Sequence, residues 1–383
     1  MTRDPRSKFS LNQILLAAAI GIFCIALLSL FLRNKSGGGT GLRFGGGKKT
    51  VVLFHFLSDK DEFLFSVYAE FYSQEKKAAL FFINPLTSLE DEKTLEDYGK
   101  KAPDELESSL EDIFDASIPN QITFKASSFR KTVDLLGGIE FFFEPKSNRV
   151  TERYERKQKI YRLDGEDAFD VISYLKEKKL IHYIHRLEIQ ESMFLSFLEA
   201  IHHQGESFNK TKVGFLHEQI ENNLSLKEWE SLFDLFKKEK FTFGVSELPA
   251  EPILRAKKKD EILKANEETV KVAFAKFSSD IRSAYFVDGE RARIEVLNGT
   301  QKSGLARYGK SLLNDKGLKV LSVDNAWDSS FTQSVILNRS GNTHYTDIIS
   351  ETFQGRKVFY ALRKDLGLDA TVILGEDFQN SKE

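Results

Sequence analysis

His182 and His185 stand one helical turn apart in the segment HYIH, a spacing at which two imidazoles can share a metal ion. No third ligand follows at a matching interval, and His202 and His203, being adjacent, cannot share one helical face. Asp59, Asp61 and Glu62 offer oxygen ligands for a divalent cation. Arg149, Arg153, Arg156, Lys157, Lys159 and Arg162 form a basic run that either contacts an anionic polymer or lies in a solvated loop. The segment GGGKKT lacks a Ser or Thr directly after its first Gly-Lys and has no strand before it, so it does not read as a phosphate loop. Neither a Ser-His-Asp order nor a Gly-x-Ser-x-Gly elbow is present. The single cysteine, Cys24, sits in the most apolar segment, which excludes a disulfide framework, a zinc-thiolate cluster or a thiol nucleophile in the folded part.

These residues need elements to position them, and the chain has the material for two ordinary domains. It holds 383 residues, 41% apolar and 29% charged. A net charge of −2 gives no general attraction to nucleic acid, and none is expected as a partner. Leu11–Leu32 is apolar apart from Asn12, Gln13 and Ser29, and as a helix it would extend roughly 30 Å, the depth of a bilayer core. It ends in LFLRNKSGGG rather than at an Ala-x-Ala-like site, so it reads as a retained single-pass anchor after a short tail of residues 1–10. Basic residues flank it on both sides, so charge alone does not orient it. Residues 33–49, with two glycine triplets, read as a flexible tether.

Residues 50–252 read as an α/β body with a central sheet flanked by helices. TVVLFHFLS and KKAALFFINP are buried strands, and the acidic stretch from Glu90 to Asp115 is expected to be a solvated helix-and-loop excursion. FRKTVDLLGG is an amphipathic helix closed by Gly137 and Gly138. Asp164 caps a helix that places Ala168, Val171, Ile172 and Leu175 on one face. Phe81, Phe82 and Phe141 to Phe143 fit core strands, or a groove for an apolar lipid. Residues 253–291 read as a charged connector, 292–378 as a small α/β module of alternating strands and helices, and 379–383 as a tail.

The closing module carries EVLNGT, SGLA, SVILNRSG and DATVILGEDF in order, and it resembles the LytR C-terminal domain. Upstream, FRKTVDLLGGIEFFFEP, YRLDGEDAF and HRLEIQESMFLSFLEAI resemble collinear motifs of the LytR-CpsA-Psr family, across roughly Val51 to Glu251. The resemblance implies an α/β fold on the outer side of the cytoplasmic membrane. It implies the transfer of a phosphoglycopolymer from a polyprenyl-pyrophosphate carrier to the cell wall, with Mg or Mn as cofactor. Such chemistry requires guanidinium forks on the pyrophosphate and carboxylates for the metal. Residue by residue, the family's Pro-Arg-Asp falls on Pro85, Leu86 and Thr87, and its paired arginines fall near Ser173 and Leu175. Arg186 and Gln190 match the next helix, while Ile189 stands where a second arginine is expected. Arg186, Gln190, Lys176, Lys178 and Lys179 are therefore the candidate polyanion contacts, and Asp59 and Asp61 the candidate metal ligands. Lysine cannot reproduce a bidentate fork. The expectation is a non-catalytic envelope protein that binds a cell-wall glycopolymer, its polyprenyl-phosphate carrier or peptidoglycan. An active transferase and an adaptor for wall-assembly proteins are the alternatives.

Overall fold

The computed structural model describes residues 49–378 apart from 91, 99–102, 145–159, 205–206 and 256–257. The expected anchor, nearly all of the tether, Arg149, Arg153, Arg156, Lys157, Lys159 and the tail lie outside the described residues. Among the described residues no helix is long and apolar enough to cross a membrane.

The first strands, β1 (Lys49–Leu57), β2 (Phe63–Tyr72) and β3 (Lys77–Ile83), pair antiparallel and are buried along almost their whole length. Burial on both faces explains why they read as continuous apolar runs rather than as alternating patterns. Short strands β4 (Thr87–Glu90) and β5 (Lys93–Thr94) lead into helices α1 (Leu95–Tyr98) and α2 (Pro103–Phe114). Then follow β6 (Gln121–Lys125), α3 (Ala126–Leu135), β7 (Ile139–Phe142), β8 (Ile160–Leu163), α4 (Gly165–Ser173) and the long α5 (Leu180–Gln204). The body continues through α6 (Lys210–Gln219), β9 (Glu221–Asn222), α7 (Leu226–Lys238) and β10 (Thr242–Glu247). Six of these strands form one sheet in the order β10-β3-β2-β1-β6-β9.

Helices cover both faces of that sheet. On one face Phe194 of α5 meets Phe54, Phe56 and Phe82 edge-on, and Phe129 of α3 meets Phe56. On the other, Tyr68 and Phe81 pack against Phe114 of α2. Local chemistry starts and stops the helices, at Asp164 and Gly137–Gly138 as read from sequence, although α4 ends at Ser173 and leaves Leu175, expected on its face, beyond it. Asp164 accepts from the Asp167 amide at the head of α4, and Ser225 forms a capping box with Glu228 at the head of α7. Gly137 and Gly138, at φ 77° and 94°, close α3 in the left-handed region that favours glycine.

Two expectations need the same correction. The charged stretch after residue 249, read as a connector with a charged helix, does hold that helix, α8 (Glu267–Arg282). It is packed into the body, however, behind an antiparallel pair, β11 (Ala250–Arg255) and β12 (Asp260–Ala265). Val270, Phe274 and Ile281 of α8 lie in the same buried cluster as Leu53, Tyr68 and Phe81. The acidic stretch before Asp115 is likewise not a solvated excursion, because Leu106, Leu110, Ile113 and Phe114 enter that cluster. In both cases the charges occupy the outer face of a helix whose inner stripe is apolar.

The closing module follows as β13 (Ile294–Asn298), α9 (Leu305–Asn314), β14 (Val320–Asn325), β15 (Val335–Asn338), α10 (Thr343–Thr352), β16 (Val358–Tyr360) and β17 (Ala370–Leu374). Its sheet runs β14-β13-β17-β15-β16. Leu305, Leu313, Tyr345 and Ile349 of its two helices cover one face. The other face would expose Leu297, Leu337, Phe359 and Ile373, and Phe142 of β7 packs into that patch. Gly341, at φ 83°, lets the two modules approach: a Cβ there would overlap Val245 of β10.

Candidate functional site

A cleft of about 690 Å³ opens beside the N-terminal end of α5. The β1–β2 turn gives it Lys60, Asp61 and Glu62, α1 gives Glu96, Asp97 and Tyr98, and α5 gives Tyr183 and Arg186. Phe63, Leu64, Phe169 and Leu175 supply apolar wall. Arg186 is only 6% exposed, and its Nε has no hydrogen-bond partner. Its guanidinium lies 4.7 Å from the centre of the Tyr183 ring. Burial draws its pKa down from the usual arginine value, against the pull of Tyr183 and Glu96. The Tyr183 hydroxyl donates to Glu96 at 3.1 Å, and burial together with that carboxylate pushes the phenol up to about 12.

The charges in the cleft differ in how far they are already satisfied. Asp61 pairs with Lys125 at 3.1 Å, and Glu96 accepts from Tyr183. Asp97 accepts from Arg255 at 2.6 Å and Lys258 at 2.5 Å. Burial alone would raise the Asp97 pKa, but these donors and Thr94 hold it below the usual carboxylate range. Lys60, Lys178 and Arg186 have no carboxylate within ion-pair distance among the described residues. The cleft is thus acidic by composition and cationic by unfilled valence.

The residues expected from sequence scatter more widely. Arg186 and Lys178 line the cleft; Lys176 and Lys179 do not, and Lys179 pairs with Glu177. Gln190 is fully buried and donates to the Ile172 carbonyl at 2.8 Å, so it is a structural tie and not a polyanion contact. Asp59 accepts from the Ser127 amide and from Arg130, which holds the start of α3 to the β1–β2 turn. Among the described residues no group of three His, Cys, Asp or Glu side chains could hold a metal ion, so His182 and His185 gain no third ligand. Asp61, the other carboxylate expected to hold Mg or Mn, is paired with Lys125. Arg162 donates to the Gly137 carbonyl.

Ser173 and Leu175, on which the resemblance places paired arginines, do line the cleft. Leu86, on which it places another, packs with Leu180 and Tyr183 in a small buried cluster, and Thr87 is buried beside it. Ile189 lines a separate small cavity with Arg339 and Phe141. Tyr183, Glu96, Phe63 and Phe169 were missed in sequence. They arrive from four elements with no shared motif, and only the position of Tyr183, one turn before Arg186, offered a signal.

Residues 291–378 match the family model described as LytR cell envelope-related transcriptional attenuator. The closing module is LytR_C-like. The LytR_C-like module makes up the last part of a chain that also resembles solved structures. TagT of B. subtilis is 16% identical, with a TM-score of 0.47, over 64% of this chain and 96% of TagT. TagV of B. subtilis is 16% identical, with a TM-score of 0.48, over 61% of this chain and 98% of TagV. A LytR-CPS2A-psr family protein, YwtF (TagT), with bound octaprenyl pyrophosphate lipid, is 15% identical, with a TM-score of 0.46, over 64% and 96%. No match is found among curated proteins.

Proposed function

We propose that this chain is a cell-envelope protein that binds the phosphate of a polyprenyl carrier, free or linked to a glycopolymer, in the Arg186 cleft without transferring the polymer. Leu11–Leu32 would anchor it in the cytoplasmic membrane with the bulk outside. One observation carries the reading: an arginine 6% exposed, with an unpartnered Nε, in a cleft where Asp61, Glu96 and Asp97 already have protein partners and, among the described residues, only Glu62 is without a cation or a short hydrogen bond to its carboxylate. A buried cation without an acceptor is unfavourable, and an anionic ligand would supply the missing hydrogen bonds. Phe63, Leu64, Phe169 and Leu175 add apolar surface beside the cation, which suits an amphiphilic phosphate better than an inorganic one. The LytR_C-like module supports an envelope setting. Peptidoglycan or wall-assembly proteins would meet the chain elsewhere on its surface.

The absence of transfer rests on residue types. A transition state that spreads charge over several phosphate oxygens needs several preorganised cations. Ser173, Leu175 and Leu86 stand where the resemblance calls for arginines, and Asp61, Glu96 and Asp97 near Arg186 are already engaged by protein donors. The test is a titration of the full-length protein in detergent with farnesyl pyrophosphate. Saturable binding that disappears in Arg186→Met is expected; equal binding by that variant would remove the site.

A further inference from the structure

Helix α5, which carries Arg186, is held in three places. Tyr183 ties its first turns to Glu96, and Gln190 ties its middle to the end of α4, just before Ser173 and Leu175 of the cleft wall. The third tie comes from the LytR_C-like module. The Lys364 ammonium reaches Glu191 of α5 at 2.8 Å and also pairs with Glu247 at the end of β10. Beside it, the Lys364 amide donates to Glu188 at 3.1 Å and the Leu362 amide donates to the Ser192 hydroxyl at 2.9 Å. Glu191 is fully buried, and its Oε2 has no hydrogen-bond partner. Glu191 and Glu247 therefore share one cation, and that cation belongs to the other module. Without it the two carboxylates would repel each other across the seam between α5 and β10, and Glu191 would be a buried charge lacking compensation. The body could relieve that by protonating Glu191, which gives up its ionic tie, or by letting α5 move off the sheet.

We infer that the closing module is a brace for the cleft, in which Lys364 and Leu362 act as positioning residues that clamp α5 to β10 and so hold the Arg186 guanidinium in place. The inference rests on the reading of Arg186 as the anion contact. Neither residue lines the cleft. The route is short, because Glu191 lies five residues beyond Arg186 on the same helix, roughly 7.5 Å along its axis. A packed helix transmits displacement over that distance because close-packed interiors do not deform smoothly.

The experiment uses the full-length protein, farnesyl pyrophosphate as probe, and amide hydrogen exchange over residues 180–191. Lys364→Met should weaken binding roughly tenfold, within the usual range of coupling between sites, and should speed exchange in that segment. Lys364→Arg should keep both near wild type. The double variant Lys364→Met with Glu191→Met should recover affinity over the single one, because the fully buried carboxylate is gone and Glu247, which remains, is partly open to solvent. Wild-type affinity and exchange in Lys364→Met, or a double variant no better than the single, would overturn the brace. If Arg186→Met bound the probe as wild type does, the cleft reading would fail, while the exchange difference would still decide whether Lys364 holds α5.

Discussion

Two buried arginines in this chain teach opposite lessons. Arg339 of the closing module is 1% exposed, and each of its three nitrogens has a partner: it donates to Thr371, to the Ala361 carbonyl and to both oxygens of Glu144 in β7's trailing segment. Arg363 adds a second cation to Glu144 at 3.0 Å. Arg186 is almost as buried, yet its Nε has no partner and no carboxylate lies within ion-pair distance among the described residues. Burial is common to both, so burial does not separate structural from functional charge. The separating feature is unfilled hydrogen-bonding capacity at the wall of a cleft: Gln190 Oε1 and Glu191 Oε2 also lack partners but are sealed in the core, whereas Arg186 lines a space that a ligand can enter.

That contrast predicts effects of different size and sign. Arg339→Met should lower folding stability by about 3–5 kcal/mol, since it breaks a buried pair and leaves Glu144 partly uncompensated; urea unfolding of the full chain measures it. Arg186→Met should change stability by less than about 1 kcal/mol, or raise it, because an apolar side chain of similar length replaces an unpaired buried charge. Equal losses in the two variants would erase the distinction drawn here.

The seam around Glu191 gives a pH signature. Burial raises its pKa from 4.5 to about 7, Glu247 adds to the rise, and Lys364 opposes it. A carboxyl whose folded value is raised contributes stability fully below its unfolded value, and that contribution is lost as pH climbs through the folded one. Wild type minus Glu191→Gln should therefore show stability falling between about pH 4.5 and about 7, read as the difference in thermal midpoints. A flat difference would mean that Glu191 is not confined as described. The smallest effect is expected for Tyr183→Phe, which removes one hydrogen bond to Glu96 and should cost about 1 kcal/mol in stability, with a modest loss of affinity for farnesyl pyrophosphate.

Strands β1, β3 and β7, the caps at Asp164 and Gly137, and the order of elements in the closing module were legible from sequence because each depends on neighbours within one or two turns, whereas β2, β10, β11 and β12 were not read. Segments 103–114 and 267–282 were misread for a physical reason: charge density was allowed to outweigh periodicity. Leu106, Leu110, Ile113 and Phe114 recur at helical spacing inside an acidic run, as do Val270, Phe274 and Ile281 inside a charged one. Arg186 was found through the motif it sits in. Gln190 came from the same motif and the same helical face, but its side chain is sealed against α4 instead of reaching the cleft. The seam at Glu191 joins residues 173 positions apart, which no local pattern encodes.

The most direct test of the central claim is native mass spectrometry of the full-length protein after incubation with a polyprenyl-pyrophosphate-linked oligosaccharide, a peptidoglycan acceptor and magnesium or manganese. The intact lipid-linked oligosaccharide is expected on the wild-type protein, unchanged with time, and none on Arg186→Met. Steady conversion to free polyprenyl phosphate, abolished in Arg186→Met, would contradict it and make the cleft a site of transfer.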